Sequence, residues 1–299
     1  MIERKPLVWF LGIAFTISWI LFLAPLVLIQ TINLPVELIR TIFFALAMWG
    51  PGLAAIITTM MIEKKPFGSL RLKTLGPKRF YLWAWLLPTL LSLATLGITV
   101  LIGTGKFDSN LTLMRNALAQ APSSANVPST EIVTAIQIAF AITLAPLINV
   151  IFALGEEIGW RGYLLPKLLP LGQWRAMVIS GLIWGIWHAP AIMQGLNFPL
   201  HPYLGNVIMT VGCVLLGIIM GWLYLNTRSP WATALAHGAI NATAGIPLIF
   251  LKPGLDTAWG GLILGTAGWI VMGIFILWLI VTKRIPVVAQ ENISQAEQY

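Results

Sequence analysis

Two adjacent glutamates, Glu156 and Glu157, lie in one of the most apolar stretches of the chain, followed four residues later by Arg161. An ionised side chain near the centre of a bilayer costs about 2.5–3.5 kcal/mol on insertion scales, so carboxylates in such a place mark chemistry. Two histidines fall in further apolar segments: His188, in Trp184-Gly-Ile-Trp-His188, and His237, in His237-Gly-Ala-Ile-Asn241. An interval of four places two side chains on one helix face. Trp184 therefore shares a face with His188, and His237 with Asn241. Glu157 and Arg161 stand in the favourable acid-first order for an internal ion pair, which leaves Glu156 as the freer carboxylate and the candidate general base. His237 and Asn241 can donate to an oxyanion, and a histidine can hold a water. Base, water and oxyanion donors are the parts of a hydrolase acting on an amide.

Other hydrolytic constellations fail on residue identity. No His-Glu-x-x-His run exists. The only aspartates, Asp108 and Asp256, fall in predicted loops. Ser180 precedes His188 by eight residues, about 12 Å along a helix axis and too far for a dyad. His201, beside Pro202 in a predicted outer loop, is assigned no chemical role. The single Cys213 excludes an internal disulfide and a cysteine-rich metal site, and is expected to be a small core residue.

These residues need a scaffold that spans a membrane. The 299-residue chain is 58% hydrophobic and 9% charged, against about 25% charged in soluble domains. The expected fold class is all-α, a polytopic membrane protein built as a bundle of eight transmembrane helices in one domain over residues 1–299. Apolar segments fall near 7–29, 39–62, 81–103, 132–154, 176–194, 204–225, 231–250 and 260–282, each close to the roughly 20 residues a span needs. The first follows Arg4 and Lys5 but is too long for a signal core, and is taken as a retained helix. Helix is expected to continue past 154 through the two glutamates to Leu165, before Pro166. The 104–131 loop shows Leu111, Met114 and Leu118 at helical spacing, consistent with a short helix on the outer surface. Residues 290–299 are expected to form a flexible tail.

With the N-terminus inside, fourteen of the eighteen Lys and Arg fall in inner segments; Arg40, Lys106, Arg115 and Lys252 are the outer four. This satisfies the positive-inside rule with both termini cytoplasmic. It also accounts for the net charge of +8 through anionic lipid, with no nucleic-acid partner.

The three motifs, Glu156-Glu157-Ile-Gly-Trp-Arg161, Trp184-Gly-Ile-Trp-His188 and His237-Gly-Ala-Ile-Asn241, resemble in order and spacing those of the CPBP family. That family comprises the type II CAAX prenyl endopeptidases and bacterial relatives linked to bacteriocin immunity. The resemblance covers about residues 130–250; the one departure is Trp184 where phenylalanine is common, a position expected to pack. It implies an intramembrane endopeptidase in a prokaryotic plasma membrane, with a cavity open toward the cytoplasm or the lipid, cleaving a membrane-associated, prenylated or leader peptide. It further implies Glu156 as the base assisted by His188, with His237 and Asn241 as oxyanion donors. Glu157, Arg161 and Trp184 would support the site. A metal-free glutamate mechanism is favoured; zinc, if present, would use Glu156, His188 and His237. The competing readings are a non-catalytic membrane binding or immunity protein of the same fold, and a proton-coupled transporter. The transporter is disfavoured because the polar groups crowd into one half of the chain.

Overall fold

In the computed structural model, residues 3–120 and 128–287 are described, and these residues are helical with no strand. The expected tail at 290–299 and most of the Pro/Ser stretch at 122–129 lie outside them. The long helices are α1 (Arg4–Leu28), α4 (Arg79–Leu101), α6 (Thr130–Glu157) and α10 (Leu204–Thr227). Shorter ones are α2 (Val36–Ala47), α3 (Gly50–Ile57), α5 (Thr112–Leu118), α7 (Leu165–Leu168), α8 (Gln173–Trp187), α9 (Ala189–Met193), α11 (Pro230–Thr243), α12 (Ile246–Ile249) and α13 (Thr266–Val281). Among the described residues, five continuous helical stretches are long and apolar enough to cross a membrane: Arg4–Leu28, Val36–Ile62, Arg79–Leu101, Thr130–Leu171 and Leu204–Thr227. The protein is an integral membrane protein. The expected segments 176–194, 231–250 and 260–282 contain shorter helices instead.

Proline explains the first of these interruptions. Pro190 has no amide hydrogen and its ring clashes with the preceding turn, so the helix breaks at His188, the joint between α8 and α9. Pro146 is tolerated inside α6 because the carbonyl it frees, that of Ile142, accepts the Trp85 indole N–H at 2.7 Å. At the start of α11, Pro230 occupies the first turn, where no amide hydrogen is needed, and the Ser229 hydroxyl accepts from the Trp231 amide at 3.2 Å. After Glu157 the chain widens into a π-helix, Ile158–Leu164, every residue of which is buried. Helix thus continues past the two glutamates, as the sequence suggests, but it does not stop before Pro166: that proline sits in the first turn of α7, and the helical stretch runs to Leu171.

Small residues bring the helices together where the motifs sit. A methyl group on Gly155 would fall 2.8 Å from the Met48 carbonyl oxygen, and one on Gly159 2.4 Å from Pro51. One on Gly185 would meet the Thr210 Cα at 2.5 Å, and one on Gly238 the Pro146 carbonyl oxygen at 2.8 Å. Without a hydrophobic drive between helices in lipid, such close backbone approaches supply the packing. They dock α6 on α3, α8 on α10 and α11 on α6 beside Glu156, His188 and His237.

The bundle has two distinct ends. At one, Lys167 bridges Glu63 and Glu3, the Trp231 indole donates to the Leu72 carbonyl, and that of Trp222 to the Arg284 carbonyl. At the other, the Lys252 amide donates to the Lys106 carbonyl, and the Thr257 hydroxyl to that of Asn197. There His201 pairs with Asp256 at 2.7 Å, a structural role for this histidine. Burial works against the charged form of Asp256, but hydrogen bonds from His201 and the Ala258 amide outweigh it and hold the carboxyl below its usual range. Helix α5 forms as expected, but Leu111 and Met114 are buried against Ile249 rather than lying on a free surface.

A stability test follows from the close approaches. Gly238→Ala forces a methyl onto the backbone of α6 and should cost about 1–3 kcal/mol, lowering the thermal midpoint in detergent by several degrees. Gly97→Ala in α4, where a methyl meets open space, should leave the midpoint unchanged or raise it. Equal midpoints would show that the crossing is loose. A second test uses the lowered Asp256 carboxyl. Its stabilisation is present above the unfolded value of about 3.9 and fades as pH falls through the folded value. Asp256→Asn should therefore destabilise at neutral pH and become indistinguishable from wild type in acid; a penalty independent of pH would rule the charge out.

Candidate active site

The polar residues picked out by spacing converge in the interior. Glu156 and Glu157 come from the last turn of α6, Arg161 from the π-turn after it, Trp184 and His188 from the end of α8, and His237 from the middle of α11. Glu156, Glu157, Arg161 and His237 are all at most 5% exposed, so each charge must be answered inside the protein.

Glu157 is answered twice on one oxygen. Its Oε1 accepts from the Arg161 guanidinium at 2.7 Å and from His237 Nδ1 at 3.0 Å. The predicted ion pair is present, and it also orients a histidine. Because Nδ1 donates, His237 turns Nε2 the other way, to 4.0 Å from Glu156 Oε1. Glu156 in turn is held through Oε2, which accepts the indole N–H of Trp160 at 3.1 Å and that of Trp184 at 2.6 Å. One oxygen is fixed by two donors and the other is left beside an imidazole. Two carboxylates and one guanidinium sum to minus one; a single further proton, on His237 or on Glu156, makes the cluster neutral.

Trp184 ties these groups together. Its ring lies under the Arg161 guanidinium, 4.4 Å from centroid to Cζ, with the His237 ring edge-on at 5.3 Å. Its carbonyl accepts from His188 Nδ1 at 2.8 Å. That carbonyl is available because the helix tightens at the break, with the His188 amide bonding Gly185 rather than Trp184. A carbonyl can only accept, so Nδ1 carries the hydrogen and Nε2 of His188 keeps its lone pair. Position 184, expected to pack and support the site, also donates a hydrogen bond: phenylalanine could supply the ring but not the N–H to Glu156.

Glu156, Trp184, His188, His237 and Asn241 line one cavity of about 1090 Å³, and Asn241 is exposed within it. Glu157 and Arg161 stand behind its wall. From this floor the cavity rises between α2 and α6 to Arg40, Asn197 and Pro199, at the end of the bundle away from Lys167 and Arg284. Cys213, expected to be a plain core residue, is buried but lines the cavity, with Sγ 3.9 Å from His188 Nδ1. Asn149 also lines it; seven residues before Glu156 on the same helix face, it carried a spacing signal that Cys213 did not. Trp160 was likewise legible, four residues after Glu156. Among the described residues no three His, Cys, Asp or Glu side chains converge as a metal-binding group. The zinc set Glu156, His188 and His237 would have to share its glutamate with two indole donors.

Residues 136–243 match the family model Rce1-like, type II CAAX prenyl endopeptidase Rce1-like. Over this stretch the chain is similar to the Rce1-like type II CAAX prenyl endopeptidase family. The match takes in all three motifs, from Glu156 and Glu157 to His237 and Asn241, and it ends with α11. No curated protein matches the chain. The N-terminal helices lie outside the matched region, yet Phe22, Phe44 and Met48 complete the cavity wall.

Removing only the Trp184 N–H tests its role. Trp184→Phe should lower kcat about tenfold or more, since a hydrogen bond to a charged group is worth about 1.5–3 kcal/mol, with little change in KM. A loss confined to KM, or none, would return this residue to packing alone.

Proposed function

We propose that the protein is an intramembrane endopeptidase that hydrolyses a peptide bond in a membrane-associated peptide or protein by a metal-free glutamate mechanism. The observation that carries the proposal is the state of Glu156: Oε2 pinned by two indole N–H groups, Oε1 beside His237 Nε2, on the floor of a cavity. In this reading a water between Oε1 and the cavity gives a proton to Glu156 as its oxygen attacks the substrate carbonyl. His188 accepts a hydrogen bond at Nε2 from that water and so orients it. The tetrahedral oxyanion receives the His237 Nε2–H, present when His237 is protonated, and the Asn241 amide. Collapse breaks the C–N bond and the proton on Glu156 passes to the leaving amine. Glu157 and Arg161 hold His237 and the Trp184 ring in place.

A base already engaged by two indoles and a second glutamate shared by Arg161 and His237 favour this reading over zinc. The surrounding topology is proposed to have eight crossings, with α8–α9, α11–α12 and α13 supplying the three shorter ones. Both termini would face the cytoplasm of a prokaryotic cell.

Purified protein should cleave members of a quenched fluorescent peptide panel in detergent, and cleavage should persist in chelator. Glu156→Gln, close in volume, should lower the rate by about 10²–10⁴-fold with the fold intact. Full activity in Glu156→Gln, or loss of activity on chelation restored by zinc, would sink the glutamate mechanism.

A further inference from the structure

The cavity extends toward one end of the bundle, and most of the basic residues sit at the other. At that end it is lined by Arg40 and Thr41 of α2, Asn197 and Pro199 of the loop after α9, and Ala244 and Leu264. None of the residues lining it belongs to the 63–79, 162–175 or 228–231 segments, which close the opposite end through the Trp231–Leu72 hydrogen bond and the Lys167–Glu63 pair. That closed end carries Arg4, Lys5, Lys64, Lys65, Arg71, Lys73, Lys78, Arg79, Lys167, Arg175, Arg228, Lys283 and Arg284. The cavity end has only Arg40, Lys106, Arg115 and Lys252. Lys and Arg in short loops stay on the cytoplasmic side of the membrane, and here the loops are short. Two independent observations, the direction of the cavity and the sorting of basic residues, therefore give the site an orientation.

We propose that the active-site cavity opens to the extracytoplasmic face, so that the substrate is a polypeptide segment exposed on the outer side of the membrane. The inference rests on the protease reading for the word substrate but not for the orientation. It differs from the opening toward the cytoplasm or the lipid that family resemblance alone implies. It follows that a cytosolic protein with a lipidated terminus has no direct path to Glu156: the closed end lies between, sealed by the buried Leu70, Leu164, Leu165 and Leu168. A peptide already exported, or the outer juxtamembrane stretch of an anchored protein, enters at the level of Arg40 and Asn197 and reaches Glu156 and His237 below.

The test is single-cysteine labelling in whole cells, in a Cys213→Ala background that leaves no native thiol. Leu200→Cys, 66% exposed beside the mouth, and Leu75→Cys, 58% exposed at the closed end, are each treated with a membrane-impermeant maleimide before and after permeabilisation. The inference expects Leu200→Cys to react in intact cells and Leu75→Cys only after permeabilisation. The reverse pattern overturns it. Should either variant fail to accumulate, Lys106→Cys and Lys73→Cys probe the same two ends and are subject to the same outcomes. Labelling needs no activity, whereas the Glu156→Gln assay in detergent has no sidedness, so the failure of one reading leaves the other standing.

Discussion

Two neighbouring carboxylates with almost no access to water set the terms for the rest of this molecule. An uncompensated charge in such surroundings costs several kcal/mol, and here two lie on consecutive residues whose side chains diverge. Each is answered by a different chemistry. Glu157 receives a guanidinium and an imidazole, both capable of full charge. Glu156 receives two indole N–H groups, which donate but carry no charge. One carboxylate is therefore neutralised and the other merely solvated. That asymmetry lets adjacent glutamates play different parts, one building the site and one acting in it.

Meeting those demands requires three helices to approach within backbone distance, and the sequence supplies a glycine at each crossing. It also requires side chains at the right depth, which explains the interrupted helices. A straight helix through residue 188 would keep the Trp184 carbonyl in its own ladder. The break before Pro190 releases that carbonyl to His188 and fixes which nitrogen of the ring faces the cavity. The π-turn after Glu157 is the corresponding irregularity on α6, and such turns gather at functional sites.

Much of this was legible in the sequence because helical spacing and local chemistry are short-range. The Glu157–Arg161 pair, the shared face of Trp184 and His188, and the continuation of helix past the two glutamates all depend on residues within one or two turns. What was not legible was long-range or averaged. Hydropathy runs smoothly over Pro190 and so suggests one unbroken helix at 176–194, where the chain makes two pieces. The meeting of His237 with both glutamates joins residues eighty apart, and no periodicity encodes it. Trp184 was taken as packing because one tryptophan among fourteen gives no sign of where its N–H will point. Cys213 was invisible for the same reason: its neighbour His188 arrives from another helix.

The Glu157–Arg161 pair also bears on how the chain enters the bilayer. During synthesis α6 is handed to the membrane before α8 and α11 exist, so neither Trp184 nor His237 is there to receive the glutamates. Arg161 and Trp160, each four residues from the carboxylate it serves, emerge from the ribosome in the same helical turn. The acidic segment thus carries its own counter-ion and its own donor into the insertion machinery. The nascent helix crosses as a nearly self-sufficient unit, and the later helices arrive to refine a site whose charge is already in hand.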